Sequence, residues 1–363
     1  MRRFPLLLLA LFVAACDTTT PTPAETTAVF VGNQGIFTDN SGSVTRHDPE
    51  TGTTTPDAVA DLGGLVQNVV VYNDRLYVLL NFDDSFSTGR GRIDVIDLAT
   101  GARERQIDVP VPRSMAVVGG TAYVSNLYSA SVTPVFLATG QTGAPIAVGE
   151  NPEGVAAIGQ RVYVANFGFG FYDYLSIIDA PSGTATRTPR LCDGPRALAV
   201  DAEDDLWVVC TGRFDFGTGT VAAPGEVLVL DGQTAEVLAR FPAPGLLGTS
   251  ALGTDAALSA SRDELFVAAP GGLLRFDTAA NAAAGRLDVP DAEISAVAFD
   301  DATGRLFLGR MDPANPYAAD GAVTIHDPAT GAETGRFGAG VIPGAVAFRQ
   351  TDAARTAMRA AGR

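Results

Sequence analysis

The chain has 363 residues, with 41 acidic residues against 25 basic ones and a formal net charge of −16 at pH 7. Every basic residue is Arg, so P-loop and Schiff-base chemistry, which need Lys, are excluded. The negative field opposes nucleic acid and anionic lipid as partners.

At the N-terminus, Arg2 and Arg3 precede an apolar run over 5–13 that is too short to span a bilayer. The run ends in Val13, Ala14, Ala15 and Cys16, which resembles the bacterial lipobox. The expectation is a lipoprotein signal peptide over 1–15 with lipidation at Cys16, the alternative being ordinary cleavage near Ala-x-Ala. Residues 16–27, rich in Thr and Pro, read as a flexible tether.

A repeat dominates residues 28–350. Residues 151–183 show it most clearly, with alternation of β-branched or aromatic with small or polar residues predicting strands over 154–158, 162–166 and 175–179. Gly159 and Gln160 form a tight hairpin turn, and a wider loop with five aromatic residues joins the second and third strands. Three strands cannot bury both their faces, so the unit has to stack beside copies of itself. The closing turn, an apolar strand ending in Asp or its equivalent and then a Thr-Gly-like turn, recurs seven times, ending at 52, 101, 140, 183, 235, 281 and 331. That spacing suits four-stranded propeller blades. The second-strand motif appears at Leu76, Ala122, Val162, Leu206, Leu265 and Leu306, and a seventh copy at Val29 has no strand before it. An unpaired strand over 343–348 has nothing after it. The predicted fold is therefore all-β, a seven-bladed β-propeller over 28–350, closed by one C-terminal and three N-terminal strands, with a tail over 351–363.

The segments Tyr123-Val-Ser-Asn126 and Tyr163-Val-Ala-Asn166, each followed by a strand, an Asp or its equivalent and a Gly turn, resemble the YVTN-repeat, surface-layer-type propellers. The resemblance fades at 251–260 and 279–285, where blade boundaries are least defined. In that family's topology the loops between second and third strands share a face with the links between blades. Six of these loops are long here, over 33–43, 81–92, 126–131, 166–174, 210–225 and 310–321, and the one over 269–272 is short. They carry Phe82, Phe86, Tyr128, Phe167, Phe169, Phe171, Tyr172, Tyr174, Phe214, Phe216 and Tyr317 among Asp83, Asp84, Arg90, Arg92, Asp173, Arg213, Asp215, Arg310 and Asp312. Rings beside Arg and Asp form an interface vocabulary, suited to a planar or amide-rich ligand, a glycan or a protein.

Catalytic signals are sparse. His47 and His326 hold the same repeat position before Asp-Pro, away from the long loops, and read as turn residues; no metal centre is expected. The Asp204/Asp205 and Asp300/Asp301 hairpins read as solvated turns. Gln67, Asn68, Arg113, Glu153, Arg196 and Glu293 are expected to line the mouth of the central channel. Cys192 and Cys210 flank the first two strands of one blade at the same end, which predicts a disulfide in an oxidising compartment.

The expected function is noncatalytic: a cofactor-free, lipid-anchored propeller of the bacterial envelope that binds a ligand or partner on its aromatic loop face. The expected location is the outer membrane, facing the periplasm or the cell surface. Similar surface propellers sit over TonB-dependent outer-membrane transporters and capture corrinoids, which makes such a transporter an expected partner. The alternatives are a lactonase-like, metal-dependent hydrolase and a structural envelope protein.

Overall fold

The computed structural model describes residues 25–82, 88–249, 253–289 and 293–351. The expected signal peptide, most of the tether, the lipidation site Cys16, the tail beyond 351, and Asp83, Asp84 and Phe86 lie outside these residues.

Alternating apolar stretches become strands with two buried faces. In Leu206–Cys210 all five side chains are buried, with Leu206, Val208 and Cys210 packed on one side and Trp207 and Val209 on the other. Four such antiparallel strands in chain order make a blade: Pro195–Val200, Leu206–Cys210, Glu226–Leu230 and Val237–Pro242 form blade 5. Blades 2, 4, 6 and 7 repeat this order, beginning at Leu65–Tyr72, Pro152–Ile158, Ala256–Leu258 and Ile294–Asp300. Blade 3 begins at Pro112–Val118 and has its outer strand split into Gln141–Thr142 and Ile146–Ala147. Blade 1 takes Thr26–Asn33, Ser43–His47 and Thr54–Thr55 from the start of the described chain and Pro343–Gln350 from its end, with Val29 opposite Phe348 and Val31 opposite Val346. The result is a seven-bladed β-propeller.

The core is distributed between the blades. Among the described residues there are seven apolar clusters, one at each blade junction. Trp207 and Phe241 stack within blade 5 and meet Phe276 of blade 6 at a tilt, and Phe307 meets Phe348 edge-on across blades 7 and 1.

The recurrent turns have a common chemistry. Oδ1 of Asp97, Asp231 and Asp327 accepts hydrogen bonds from backbone N–H groups two and three residues on, and the N–H of the residue four on donates to the Asp carbonyl. These bonds, the backbone ones foremost at Asp97 and Asp231 and the Arg305 contact at Asp327, hold the three carboxyls below their usual pKa.

The repeat Asn is a second brace. Nδ2 of Asn33 donates to Ser43 and Thr45, that of Asn126 to Ser131 and Thr133, and that of Asn166 to Ser176, tying second strand to third. In blade 5 Cys210 holds this position, and its disulfide to Cys192 spans a Cα–Cα distance of 6.0 Å. His47 stacks on Phe337 at 4.1 Å, and His326 is buried, with Nδ1 donating to the Gly331 carbonyl and Nε2 meeting the Thr324 hydroxyl. Burial lowers both imidazole pKa values.

One expected solvated turn is different. Asp300 is fully buried, and its Oδ1 accepts from Thr26 Oγ1 and from Gln350 Nε2 at 3.0 Å. It joins the blade 7 hairpin to both closing strands of blade 1, contacts invisible in the local sequence because the partners are 274 and 50 residues away.

Ending the chain at residue 342 removes the inner strand of blade 1 and uncovers the Thr26–Asn33 edge. That protein is expected to aggregate and lose its cooperative thermal transition, whereas a chain ending at 351 keeps both its size and its melting temperature. Gel filtration and calorimetry of the two truncations check this.

Candidate functional site

Four of the seven innermost strands open on a shared device. Val111, Asn151, Gly194 and Ile342 adopt left-handed φ values between 36° and 68°, and each precedes a Pro that begins the strand. Proline suits this place, since an inner strand is a sheet edge and its N–H has no ladder partner. Register shifts near the start of these strands, and of those that begin at Leu65 and Ile294, skip Gln67, Arg113, Glu153, Arg196 and Ser295 out of the ladder. A bulge re-aims the side chain it carries.

All of these but Ser295 meet at the channel mouth. Gln67, Asn68, Arg113, Glu153 and Arg196 line one small cavity of about 130 Å³, together with Asp255. Arg113 Nε donates to Glu153 Oε2 at 2.8 Å, and Arg196 makes a paired contact with both carboxylate oxygens of Asp255. Arg196 Nη2 also donates to the Thr249 carbonyl at 3.1 Å. Burial disfavours the Arg196 charge, but the Asp255 carboxylate, assisted by Glu153, holds its pKa above the ordinary value. The four groups form an alternating ladder across blades 3 to 6, with no net charge. Gly248 sits against it at φ +93°, where an added Cβ would lie 2.5 Å from Arg196 Nη2. Glu153 Oε1 is buried without a hydrogen-bond partner.

Asp255 is not among the expected channel residues. It lies inside 251–260, where the repeat fades, and the first strand of blade 6 is cut to Ala256–Leu258. Glu293 is placed differently from expectation: it lines a separate, larger cavity on the loop face.

That cavity, about 860 Å³, is a trough between the loops of blades 4 to 7. Its walls are Phe167 and Phe169 from blade 4, Phe214 and Phe216 from blade 5, Leu246 and Leu247 from the link to blade 6, and Val289, Glu293 and Ile294 from the entry to blade 7. Arg196 lines both cavities, so the trough and the channel mouth meet at this side chain. The short blade 6 loop at Pro270 and Gly271 forms the low side. Beside it, the 210–225 loop of blade 5 contains its own hairpin, Arg213–Asp215 with Thr220–Ala223. The sequence carries a signal for that hairpin: Asp215, Thr218 and Gly219 repeat the Asp-x-x-Thr-Gly turn of the blade edges, and Asp215 Oδ1 accepts from the Gly217 and Thr218 N–H groups.

The blade 4 wall is strained. Gly168, Phe169 and Gly170 are consecutively left-handed, and a Cβ on Gly168 would overlap the Tyr172 ring. A bulky residue at φ +54° is held there only by its surroundings. Phe169 is 44% exposed and Phe216 85% exposed.

The remaining expected residues divide. Phe171 lies under Arg213, with the guanidinium 5.7 Å from its ring centre. Tyr172 and Tyr174 pack edge-on beside Arg187, and a hydrogen bond with Glu150 raises the Tyr172 pKa. Arg90 and Arg92 both lie over the Phe82 ring on blade 2, while Tyr317 projects from blade 7, so the aromatic residues do not form one continuous face. Burial raises the Tyr128 pKa on blade 3.

Two arginines expected to contact ligand have structural partners. Arg92 Nε donates to the buried Asp94 at 2.7 Å. Arg310 is buried where other blades carry the repeat Asn, and its Nε donates to Thr324 Oγ1 at 3.0 Å. Both positions look exposed in sequence because loop and strand end adjoin there. Among the described residues, no group of three or more His, Cys, Asp or Glu is arranged to hold a metal ion.

No protein-family model matches the chain, and no curated protein matches its sequence. Among solved structures it is similar to Kuenenia stuttgartiensis hydrazine synthase, with a TM-score of 0.61 and 19% identity over 80% of this chain and 90% of that one. At that identity the likeness concerns the fold.

Breaking the Arg196–Asp255 pair should cost more than deleting it. Arg196→Leu leaves Asp255 buried and uncompensated, with an expected loss of about 3–5 kcal/mol, and Arg196→Leu with Asp255→Leu together should recover most of it. Chemical denaturation of the single and double variants measures the difference.

Proposed function

We propose that this propeller is a noncatalytic envelope protein that captures an organic ligand in the loop-face trough, anchored to its membrane by lipid on Cys16. The observation that carries the reading is the trough itself: about 860 Å³, walled by four Phe rings and aliphatic side chains, with few polar groups. Binding sites for small molecules combine an apolar concavity of this size with a small number of placed polar groups. The strained display of Phe169 agrees with it, since strain of this kind collects at ligand clamps.

Capture is favoured over metal-assisted hydrolysis because the channel carboxylates Glu153 and Asp255 are each engaged by an arginine. In this reading a TonB-dependent outer-membrane transporter is a receiving partner, and corrinoids are one ligand class to test. A ligand larger than the trough would lie across Phe169 and Phe216 with part of its surface exposed.

Calorimetry against corrinoids, glycans and purified envelope partners tests the reading. Phe169→Ala and Phe216→Ala are each expected to weaken binding by about 1–3 kcal/mol without changing the melting temperature, because neither ring belongs to the apolar clusters at the blade junctions. Binding that is indifferent to both changes would place the site elsewhere. For the anchor, labelled fatty acid should enter the protein and Cys16→Ser should abolish the label and release the protein from membranes; a variant that still labels would refute lipidation at Cys16.

A further inference from the structure

We infer that the trough selects a hydrophobic organic cation, an amine or quaternary ammonium carried on an aromatic or alkyl body. This rests on the capture reading and names its ligand class.

Charge decides the class. Arg196 and Glu293 are the ionisable side chains lining the trough among the described residues. Arg196 is committed, since Nε and Nη2 are bonded to Asp255 and Thr249, and its charge is cancelled by the carboxylate. Glu293 is exposed, and no ion pair engages it among the described residues. The described lining therefore keeps one negative charge without an ion-pair partner, inside a protein of net charge −16. An anion entering here meets Glu293 and the overall field, whereas a cation is attracted by both.

The rings point the same way. An aromatic face carries the negative part of its quadrupole and attracts a cation within about 6 Å of its centre. This corner of the protein already uses its rings so: the Arg196 guanidinium lies 5.6 Å from the Phe167 centre, and Arg213 lies 5.7 Å from that of Phe171. Phe214 and Phe216 meet edge to face at 5.1 Å, and Phe167 and Phe169 are tilted at 5.7 Å, so differently oriented faces wall the trough. Rings at several angles with one carboxylate make a cage for an alkylated ammonium group, while Leu246, Leu247, Val289 and Ile294 suit its apolar body.

Three probes sharing a naphthyl body test this: 2-naphthylmethyl-trimethylammonium, 2-naphthylethanol and 2-naphthylacetate, titrated into the full chain by calorimetry. The cation is expected to bind about 10-fold tighter than the alcohol, with the acetate weakest. Glu293→Gln should remove about 5-fold or more of the cation's affinity and leave the alcohol within about twofold, and added salt should act in the same direction. An alcohol or acetate that binds as tightly as the cation, or a cation indifferent to Glu293→Gln, overturns the inference. If those probes still lose affinity in Phe169→Ala and Phe216→Ala, ligand capture at the trough stands and only the ligand class falls. If none of the three binds, the cation class is overturned, and silence of the wider panel as well would overturn capture.

Discussion

Each blade has two apolar faces, and neither is stable against water, so every sheet needs a neighbour on both sides. A linear stack would always leave its two terminal faces bare, and without the C-terminal strand it would leave the Thr26–Asn33 edge unpaired. The ring covers both terminal faces, the strand Pro343–Gln350 pairs with the Thr26–Asn33 edge, and the seven apolar clusters at the seven junctions show where the stabilisation resides. The junction of blades 7 and 1 depends on residues from opposite ends of the chain, Val29 and Val31 against Phe307 and Phe337. Asp300 supplies the polar counterpart, binding both closing strands. Closure therefore combines long-range packing with a buried hydrogen-bond network.

The ring also creates the channel and dictates its chemistry. Inner strands converge on the axis with one free edge each, which is where Pro, left-handed residues and bulges can be accommodated. The bulges direct Arg113, Glu153 and Arg196 towards one another and towards Asp255. Charges in so confined a place need compensation, because desolvating a lone ion costs several kcal/mol. Alternation of sign from blade to blade meets that requirement, and it leaves the channel mouth polar with little net charge.

The loop face is asymmetric for a simpler reason. Blade 5 inserts a hairpin between its second and third strands, and blade 6 joins the same strands through Pro270 and Gly271. A high wall beside a low one produces the trough. Phe214 and Phe216 ride on the inserted hairpin, while Phe167 and Phe169 come from the strained turn of blade 4. The apolar concavity thus follows from a difference in loop length between adjacent blades on a nearly regular scaffold, and the ladder beneath it fixes the orientation of Arg196.

Local and periodic features are legible along the chain: the number of blades, the two-residue alternation of the strands, the Asp-x-x-Thr-Gly turns and the segments that carry the long loops. These depend on neighbours within a few residues and recur around the ring, so each copy supports the others. Folding alone settles which aromatic residues share a cavity, that Arg196 is held by Asp255, and that Arg310 replaces a bracing Asn instead of facing outwards. It also separates Glu293 from the other channel residues and draws Asp300 into the core. Each of those outcomes depends on groups brought together from distant parts of the chain, and the distances between blades are set by packing around the ring, for which a local pattern carries no signal.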